Sequence, residues 1–115
     1  MKNWILIFAL IFCTTAVAQE YKPIKEKQGD LVKATFFHDN GEIAQVGFYK
    51  NDKPHGEWIA FNQEGVKISK GTYDMGVKVG TWYFWTEAGL NEVDYKNGRI
   101  IKVTKWDSSK TIVVN

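Results

Sequence analysis

Hydrophobic and polar positions alternate at short intervals across residues 31–115, and β-branched and aromatic side chains dominate the hydrophobic positions. Long segments, Glu42 to Tyr49 and Val66 to Tyr73, alternate with shorter aromatic ones, Trp58 to Phe61 and Thr81 to Trp85. Such alternation is typical of half-buried β-strands. Beyond residue 30, no stretch combines the period of about 3.6 residues with the caps of a helix. The pattern therefore predicts an all-β domain.

Turn signals separate these segments and fall into two sets. The first turns contain Asn40-Gly41, Glu64-Gly65 and Ala88-Gly89, and the second turns contain Asn51-Asp52, Met75-Gly76 and Asn97-Gly98. Asn-Gly is the strongest short signal for a β-hairpin, because both residues tolerate the positive φ that a two-residue turn requires. The chain is therefore predicted to form an antiparallel meander of β-hairpins, two strands to a unit, in a single twisted sheet.

The same residue types recur at a spacing of 24 residues, which predicts a repeat of that length. The third unit departs from the spacing, and Thr104 stands in it where the other two units have glycine. We interpret it as a degenerate end unit, which repeat proteins usually carry. The aligned positions are Gly41, Gly65 and Gly89; Phe37, Phe61 and Trp85; Trp58, Trp82 and Trp106; Gly47 and Gly71; Tyr49 and Tyr73; and Gly56 and Gly80.

The spacing of glycine and tyrosine in the long segments predicts packed rings. Gly47 and Gly71 each precede a tyrosine by two residues, so glycine and ring lie on one face of the strand. A glycine leaves room for an aromatic ring from a neighbouring strand. We therefore expect Trp58 and Trp82 to pack from unit to unit in the core.

The alternative for the aromatic residues is an exposed platform that binds sugar or peptide. This alternative stays open for Tyr83 and Trp85, because the run Tyr83-Phe84-Trp85 places rings on both faces of one strand. If the sheet is a single layer, one of those faces is open to a ligand.

The N-terminus has the three parts of a secretory signal peptide. Lys2 is followed by an apolar run from Trp4 to Phe12 and by Ala16-Val17-Ala18, which predicts cleavage between Ala18 and Gln19. The alternative is an uncleaved membrane anchor, but the apolar segment is shorter than the ~20 residues of a spanning helix. We therefore predict a signal peptide over 1–18, export to the periplasm or the exterior, and no transmembrane segment after cleavage.

Cleavage at this site removes Cys13, the sole cysteine of the chain. A disulfide scaffold, a cysteine nucleophile and a thiolate metal site are then excluded. Residues 19–30 are polar, contain Pro23 and show no helical or strand period, so we predict a flexible lead-in. The repeat domain is predicted over 31–115.

The run from Tyr49 to Gly65 has the pattern Y-x-N-x-K-x-H-G-x-W-x-x-F-x-x-x-G and resembles a MORN repeat, in the bacterial variant found in YwqK-type antitoxins. The resemblance covers roughly 36–98, although Val79 replaces the histidine in the second unit. It implies a sheet of β-hairpin repeats with a binding or scaffolding role and no catalytic residues. The signature positions are Gly41, Tyr49, Gly56, Trp58, Phe61, Gly65, Tyr73, Gly80, Trp82, Trp85 and Gly89.

The remaining residues offer little catalytic chemistry, so we predict no enzyme, no cofactor and no metal site. The sequence contains neither a G-x-S-x-G nucleophile motif nor a phosphate-binding glycine loop. His38 and His55 belong to turns at opposite ends of one strand, about 25 Å apart, and cannot share an ion. A net charge of +2 is low for a nucleic-acid-binding domain, so no nucleic acid is expected.

Alternate turns of a meander occupy opposite edges of the sheet. The first turns are rich in acidic residues and the second turns in basic ones, so one edge is predicted to be acidic and the other basic. One explanation is solvated turns that discourage aggregation. The other is a basic edge, made by Lys50, Lys53, His55, Lys78 and Arg99, that meets a protein partner or an anionic surface of the cell envelope. The first turns gather Asp39, Glu42, Glu64, Glu87 and Glu92, and the second turns gather Lys50, Lys53, Lys78, Lys96, Arg99 and Lys102 with Asp52 and Glu57.

Two functions follow as expectations. The first is an exported, non-enzymatic repeat protein that binds a protein or an envelope surface. The second, implied by the resemblance alone, is an antitoxin or immunity protein that neutralises a dedicated toxin partner. A hydrolase acting on an envelope polymer is a distant third, and only an exposed aromatic platform would support it.

Overall fold

The computed structural model describes residues 20–108 of the chain. The predicted signal peptide and its cleavage site at Ala18 and Gln19 lie outside the described residues. Within them, the regular structure consists of nine β-strands: β1 (Ile24–Gln28), β2 (Leu31–Phe37), β3 (Ile43–Lys50), β4 (Lys53–Pro54), β5 (Gly56–Phe61), β6 (Lys67–Asp74), β7 (Val77–Thr86), β8 (Gly89–Lys96) and β9 (Arg99–Asp107).

These strands form one antiparallel sheet in which each strand lies beside its neighbour in sequence. The order is β1-β2-β3-β5-β6-β7-β8-β9, and the short β4 pairs with β3 just ahead of β5. The sheet is open, with β1 and β9 as its edge strands. The predicted all-β antiparallel meander is confirmed. The first turns lie at one end of the strands, the first turn edge, and the second turns lie at the other, the second turn edge.

The prediction of a flexible lead-in over 19–30 is wrong for its second half, where β1 pairs with β2 along its whole length. Gly29, with a φ of 64°, closes the connecting turn. All five β1 side chains are exposed, so backbone hydrogen bonds hold the strand and no hydrophobic alternation marks it. The sheet therefore begins at Ile24 and not near Leu31.

The second turns are two-residue turns, as the sequence predicted. Asn51 and Asp52 have φ values of 49° and 63°, and both residues of Met75-Gly76 and of Asn97-Gly98 also have positive φ. Two consecutive residues with positive φ match a type I′ turn, whose twist suits an antiparallel hairpin. Met75 is thus a bulky residue in a conformation that favours glycine or asparagine.

The first turns are longer than their Asn-Gly and Glu-Gly signals predicted. Five residues separate β2 from β3 and β5 from β6, whereas two separate β7 from β8. Asparagine side chains support the long turns: Asn40 Oδ1 accepts the N–H of Glu42, and Asn62 Oδ1 accepts those of Glu64 and Val66. An Asx side chain that bonds the backbone in this way mimics a tighter turn.

One face of the sheet, called the tryptophan face below, buries most of the hydrophobic core. Trp58 and Trp82 are each 5% exposed. Val93 is paired with Trp82, and Ala34 is paired with Gly47 beneath Trp58, so both lie on the same face. The core of the described residues is therefore a strip along one side of a single sheet.

Trp106 does not lie on the tryptophan face, which corrects its alignment with the other two tryptophans of its column. Val103 pairs with Val93 on that face, whereas Trp106 pairs with Leu90 on the opposite face. Val103 therefore takes the place in β9 that a third stacked tryptophan would have taken.

A backbone irregularity explains this change of face. At Gly80, which has a φ of 70°, β7 carries two more residues than β6 beside it, and two extra residues leave the alternation of faces unchanged. β9 carries a single extra residue, Ile101, beside β8. Thr104 occupies the position aligned with Gly80, and a β-branched residue disfavours positive φ. One extra residue reverses the alternation and moves Trp106 to the other face.

Candidate functional site

The tryptophan face is packed by rings that lie directly on glycines. A Cβ atom added to Gly47 would lie 2.0 Å from Cδ2 of Trp58, and one added to Gly71 would lie 1.9 Å from Cδ2 of Trp82. Close-packed interiors do not accommodate atoms at such distances, so only glycine fits beneath each indole. The two glycines serve packing, as their spacing from tyrosine predicted.

Each of these indoles also hydrogen-bonds to the strand before it. Trp58 Nε1 donates to the carbonyl oxygen of Phe48 at 3.1 Å, and Trp82 Nε1 donates to that of Thr72 at 3.2 Å. Trp106 Nε1, on the opposite face, is buried and has no hydrogen-bond partner among the described residues. The first two tryptophans are therefore equivalent in hydrogen bonding as well as in packing, and the third is not.

Tyrosine rings join the tryptophans into a continuous row. Tyr49 packs edge-on against Trp58 with ring centroids 5.1 Å apart, and Tyr73 packs edge-on against Trp82 at 4.9 Å. Tyr73 also contacts Trp58, and Tyr95 contacts Trp82, both at 6.1 Å. T-shaped pairs at these distances stabilise a core beyond the area that they bury. These signature rings form the core, so a ligand platform would have to lie on the opposite face.

The opposite face carries a second and more exposed group of rings. Tyr83 and Trp85 stack with centroids 6.0 Å and planes 22° apart. Trp85 is 36% exposed, and Nζ of Lys67, the residue paired with Phe61, lies 5.9 Å from its ring centroid. Tyr83 and Lys67 both lie beside the exposed Trp85 ring, so the two rings and the ammonium form one group on this face.

The remaining signature glycines shape the backbone. Gly41 and Gly65 lie in the two long first turns, and Gly56 and Gly80 lie at the strand irregularities before each core tryptophan, all with positive φ. Gly89 begins β8, where an added Cβ would lie 1.9 Å from a carbonyl oxygen of β9. These positions contribute geometry and no side-chain chemistry.

Two of the five residues predicted for the basic edge are held within the fold. Lys78 extends over the tryptophan face, with Nζ 4.9 Å from the Trp82 ring and 5.2 Å from the Tyr95 ring. His55 is half-buried, and its Nδ1 accepts the N–H of Met75 at 3.1 Å. Both side chains join neighbouring elements of the sheet, so neither is a freely presented surface group.

Backbone hydrogen bonds link two of the second turns, Met75-Gly76 and Asn97-Gly98, to the preceding hairpin. The N–H of Gly76 donates to the carbonyl oxygen of Pro54 at 2.7 Å, and the N–H of Gly98 donates to that of Lys78 at 3.0 Å. The first turns are linked in a similar way, since His38 Nε2 bonds the carbonyl oxygen of Phe61 at 2.8 Å. Both histidines therefore support turns, and the two turn edges are held in fixed positions.

The other three residues of the predicted basic edge are less constrained. Lys50 Nζ lies 3.7 Å from Asp30 Oδ2, an ion pair at the surface. Lys53 and Arg99 are exposed and have no ion pair within the described residues. These two cations are the ones most available to a partner.

Aspartates lie among these cations, and sequence reasoning missed two of them. Asp30 and Asp74 lie in or beside the second turns, as Asp52 does, and all three are exposed. Asp30 was missed because its turn was assigned to the lead-in, and no turn signal pointed to Asp74. The second turn edge is therefore basic overall, but it carries both positive and negative side chains.

The first turn edge is more uniform. Residues 38–42, 62–66 and 87–88 contain no lysine or arginine. Glu92, predicted for this edge, lies instead in the middle of β8, opposite Tyr83 and Thr104. The exposed acids of these turns are Asp39, Glu42, Glu64 and Glu87.

A surface concavity of about 510 Å³ opens beside the second turn edge. It gathers ammonium, carboxylate, phenol and amide groups, which can pair with charged and polar groups of a ligand. Its lining residues are Lys25, Asp30, Val32, Tyr49, Asn51 and Asp52.

Residues 20–108 contain no helix with the length and apolar character needed to cross a membrane. Within the same residues, no three histidine, cysteine or acidic side chains are grouped so that they could hold a metal ion. No protein-family model, no curated protein and no solved structure matches the chain. The resemblance to MORN repeats therefore stays a prediction.

Proposed function

We propose that this protein is an exported, non-enzymatic repeat module, built of β-hairpin units of about 24 residues, that binds a protein partner or an anionic surface of the cell envelope. The observation that carries the proposal is the division of charge between the two turn edges of one open sheet. The first turn edge exposes carboxylates without a lysine or arginine in its turns. The second turn edge exposes Lys53, Lys96 and Arg99.

The equivalence of the two central units supports the proposed repeat. Trp58 on Gly47 and Trp82 on Gly71 make the same contact to within 0.1 Å, and their indole N–H groups bond the strand before them in the same way. Repeat units of this kind place turns at regular intervals along an edge. Charged side chains in successive turns therefore form an ordered row along that edge.

The rigidity of the turns also favours binding. The hydrogen bonds of Gly76 to Pro54 and of Gly98 to Lys78 fix successive second turns relative to one another. A surface whose backbone is already fixed loses less conformational entropy when it binds. Opposite charge on the two turn edges would in addition orient the molecule as it approaches an anionic surface.

Vesicle binding tests the envelope-surface form of the proposal. We expect the purified protein to co-sediment with vesicles that contain an anionic phospholipid at low salt, and to be released as salt screens the charges. The double variant Lys53→Glu with Arg99→Glu should lose this binding. These residues are chosen because Lys78→Glu would also disturb the packing over Trp82.

The matched control is Lys22→Glu with Lys67→Glu, which changes the net charge equally but at two exposed lysines near the first turn edge. Equal loss of binding in both double variants would mean that overall charge, and not the second turn edge, is responsible. Affinity capture from envelope fractions tests the protein-partner form, and we expect a partner that the wild-type protein retains and the Lys53 and Arg99 variant releases. Failure of both vesicle binding and capture would refute the proposal.

A further inference from the structure

The two edge strands of the sheet differ in length, charge and apolar exposure. β1 has five residues with mixed charge, Ile24–Gln28, whereas β9 has nine, Arg99–Asp107. Ile100 and Ile101 in β9 are 59% and 64% exposed. Among the described strands β9 pairs only with β8, so the outer N–H and C=O groups of residues 99–106 have no strand partner there.

The charged side chains of β9 are mainly basic. Arg99, Lys102 and Lys105 are all exposed and follow one another at intervals of three residues. Lys102 and Lys105 lie on opposite faces, because three steps along a strand reverse the direction of the side chain. A strand added beside β9 would therefore meet one cation on each face.

We propose that β9 is the docking strand for an extended segment of a partner protein, which joins the sheet as a further strand and carries two acidic residues three positions apart among apolar ones. The backbone of β9 would hold the segment, and Lys102 and Lys105 would fix its register by cross-strand pairing. The spacing follows from β9 itself, since residues opposite these two lysines must also be three apart. The proposal rests on the proposed function in that the ligand is a protein, and it names the strand that the partner uses.

The same lysines disfavour the alternative of a second copy of this chain. In antiparallel pairing of β9 with β9, any register that sets two of the cations Arg99, Lys102 and Lys105 opposite each other is destabilised by their like charges. Lysines on an edge strand commonly protect it against such pairing. An acidic segment instead gains from each of them, and its apolar residues can cover Ile100 and Ile101.

Amide hydrogen exchange measured by NMR tests the proposal with two synthetic peptides, TVEVTEVT and TVKVTKVT. We expect the glutamate peptide to slow exchange of the outer amides of β9 at low salt and to leave β1 unchanged. The lysine peptide has the same strand-forming residues and should slow neither. Protection of both edge strands, or equal protection by both peptides, would overturn the proposal.

Single variants separate the role of the lysines from any effect on folding. Lys105→Glu should weaken binding of the glutamate peptide roughly fivefold, since it replaces an attraction by a repulsion. Lys105 pairs with the neutral Asn91, so the substitution sets no like charges opposite each other in the sheet. Lys102→Gln should weaken binding of the glutamate peptide by less, because it removes a charge without reversing it. Lys25→Glu in β1 is the matched control and should bind the peptide as the wild type does.

Three further results would overturn the inference. Protection of β9 that is present before peptide is added and rises with protein concentration would mean that a second copy occupies the strand. Protection that is independent of concentration would mean that residues 109–115 of the chain occupy it. If capture from envelope fractions yields a partner that Lys105→Glu retains in full, the inference about β9 fails while the proposed function stands.

Discussion

Trp82 and Trp85 lie three residues apart in β7, yet they belong to opposite faces of the sheet and have different surroundings. Trp82 lies on a glycine, bonds a backbone carbonyl and contacts two tyrosine rings, and it is 5% exposed. Trp85 is 36% exposed and contacts Tyr83 and the Lys67 ammonium. The difference shows that a tryptophan at a signature position can be either core or surface, depending on what faces it across the strand pair.

The largest expected effect is that of removing one indole from each face. Trp82→Ala should lower the free energy of unfolding by about 3–5 kcal/mol, because it opens a cavity above Gly71. Trp85→Ala should lower it by less than about 1 kcal/mol, as a surface change does. Urea denaturation followed by circular dichroism measures both. Equal losses in the two variants would contradict the assignment of the faces.

A smaller effect is expected when the glycine beneath the ring is filled. Gly71→Ala should lower the free energy of unfolding by about 1–3 kcal/mol, since the added methyl group displaces the Trp82 ring. Thr72→Ala, the next residue along the strand but exposed on the opposite face, is the matched control and should have little effect. Tryptophan fluorescence should also shift towards that of an exposed indole in the glycine variant alone. An unchanged free energy of unfolding in Gly71→Ala would mean that the Trp82 ring does not lie on Gly71.

The cations above the two rings allow a finer comparison. Lys78→Met removes the charge that lies over Trp82 and Tyr95 but keeps the aliphatic stem, and should lower the free energy of unfolding by about 0.5–1 kcal/mol. Lys67→Met removes the more exposed cation over Trp85 and should lower it by less. The two variants are compared by denaturation at low and at high salt. A larger loss of unfolding free energy in Lys67→Met than in Lys78→Met would contradict the proposed difference between the two faces.

The smallest effect belongs to the second turns, which lie outside both faces. Met75→Asn should raise the free energy of unfolding by about 0.5 kcal/mol, because asparagine tolerates the φ of 45° better than methionine does. The reciprocal change, Asn97→Met, should lower it by a similar amount. Thermal unfolding of Met75→Asn in the Trp85→Ala background should show the same gain, since distant sites act additively. A gain that vanished there would connect the turn to the exposed face.

Much of the central sheet could be predicted from the sequence, because glycine and aromatic residues occupy positions that only one arrangement satisfies. Gly71 two residues before Tyr73 required a ring above it, and Asn97-Gly98 required a tight turn. β1 could not be predicted in the same way, since an exposed strand held by its backbone has no side-chain pattern. The face of Trp106 was missed because a single extra residue in β9 leaves no mark in a spacing of 24.

The candidate surface was predictable in outline only. The turn signals in the sequence predict a meander, and a meander places the acidic first turns and the basic second turns on opposite edges. The positions of Lys78 and His55 could not be predicted, because they depend on contacts across the sheet. Lys78 lies over the Trp82 ring and His55 accepts the N–H of Met75, and no sequence pattern indicates either contact.

The single extra residue at Ile101 also limits how far the row of rings can grow. A unit that repeats its backbone unchanged can in principle be added without end, as in an open filament. In this protein the row of packed rings reaches Tyr95, and β9 turns its tryptophan to the other side of the sheet. The number of stacked tryptophans is thus set by a local count of backbone residues, and one insertion beside Thr104 would be enough to change it.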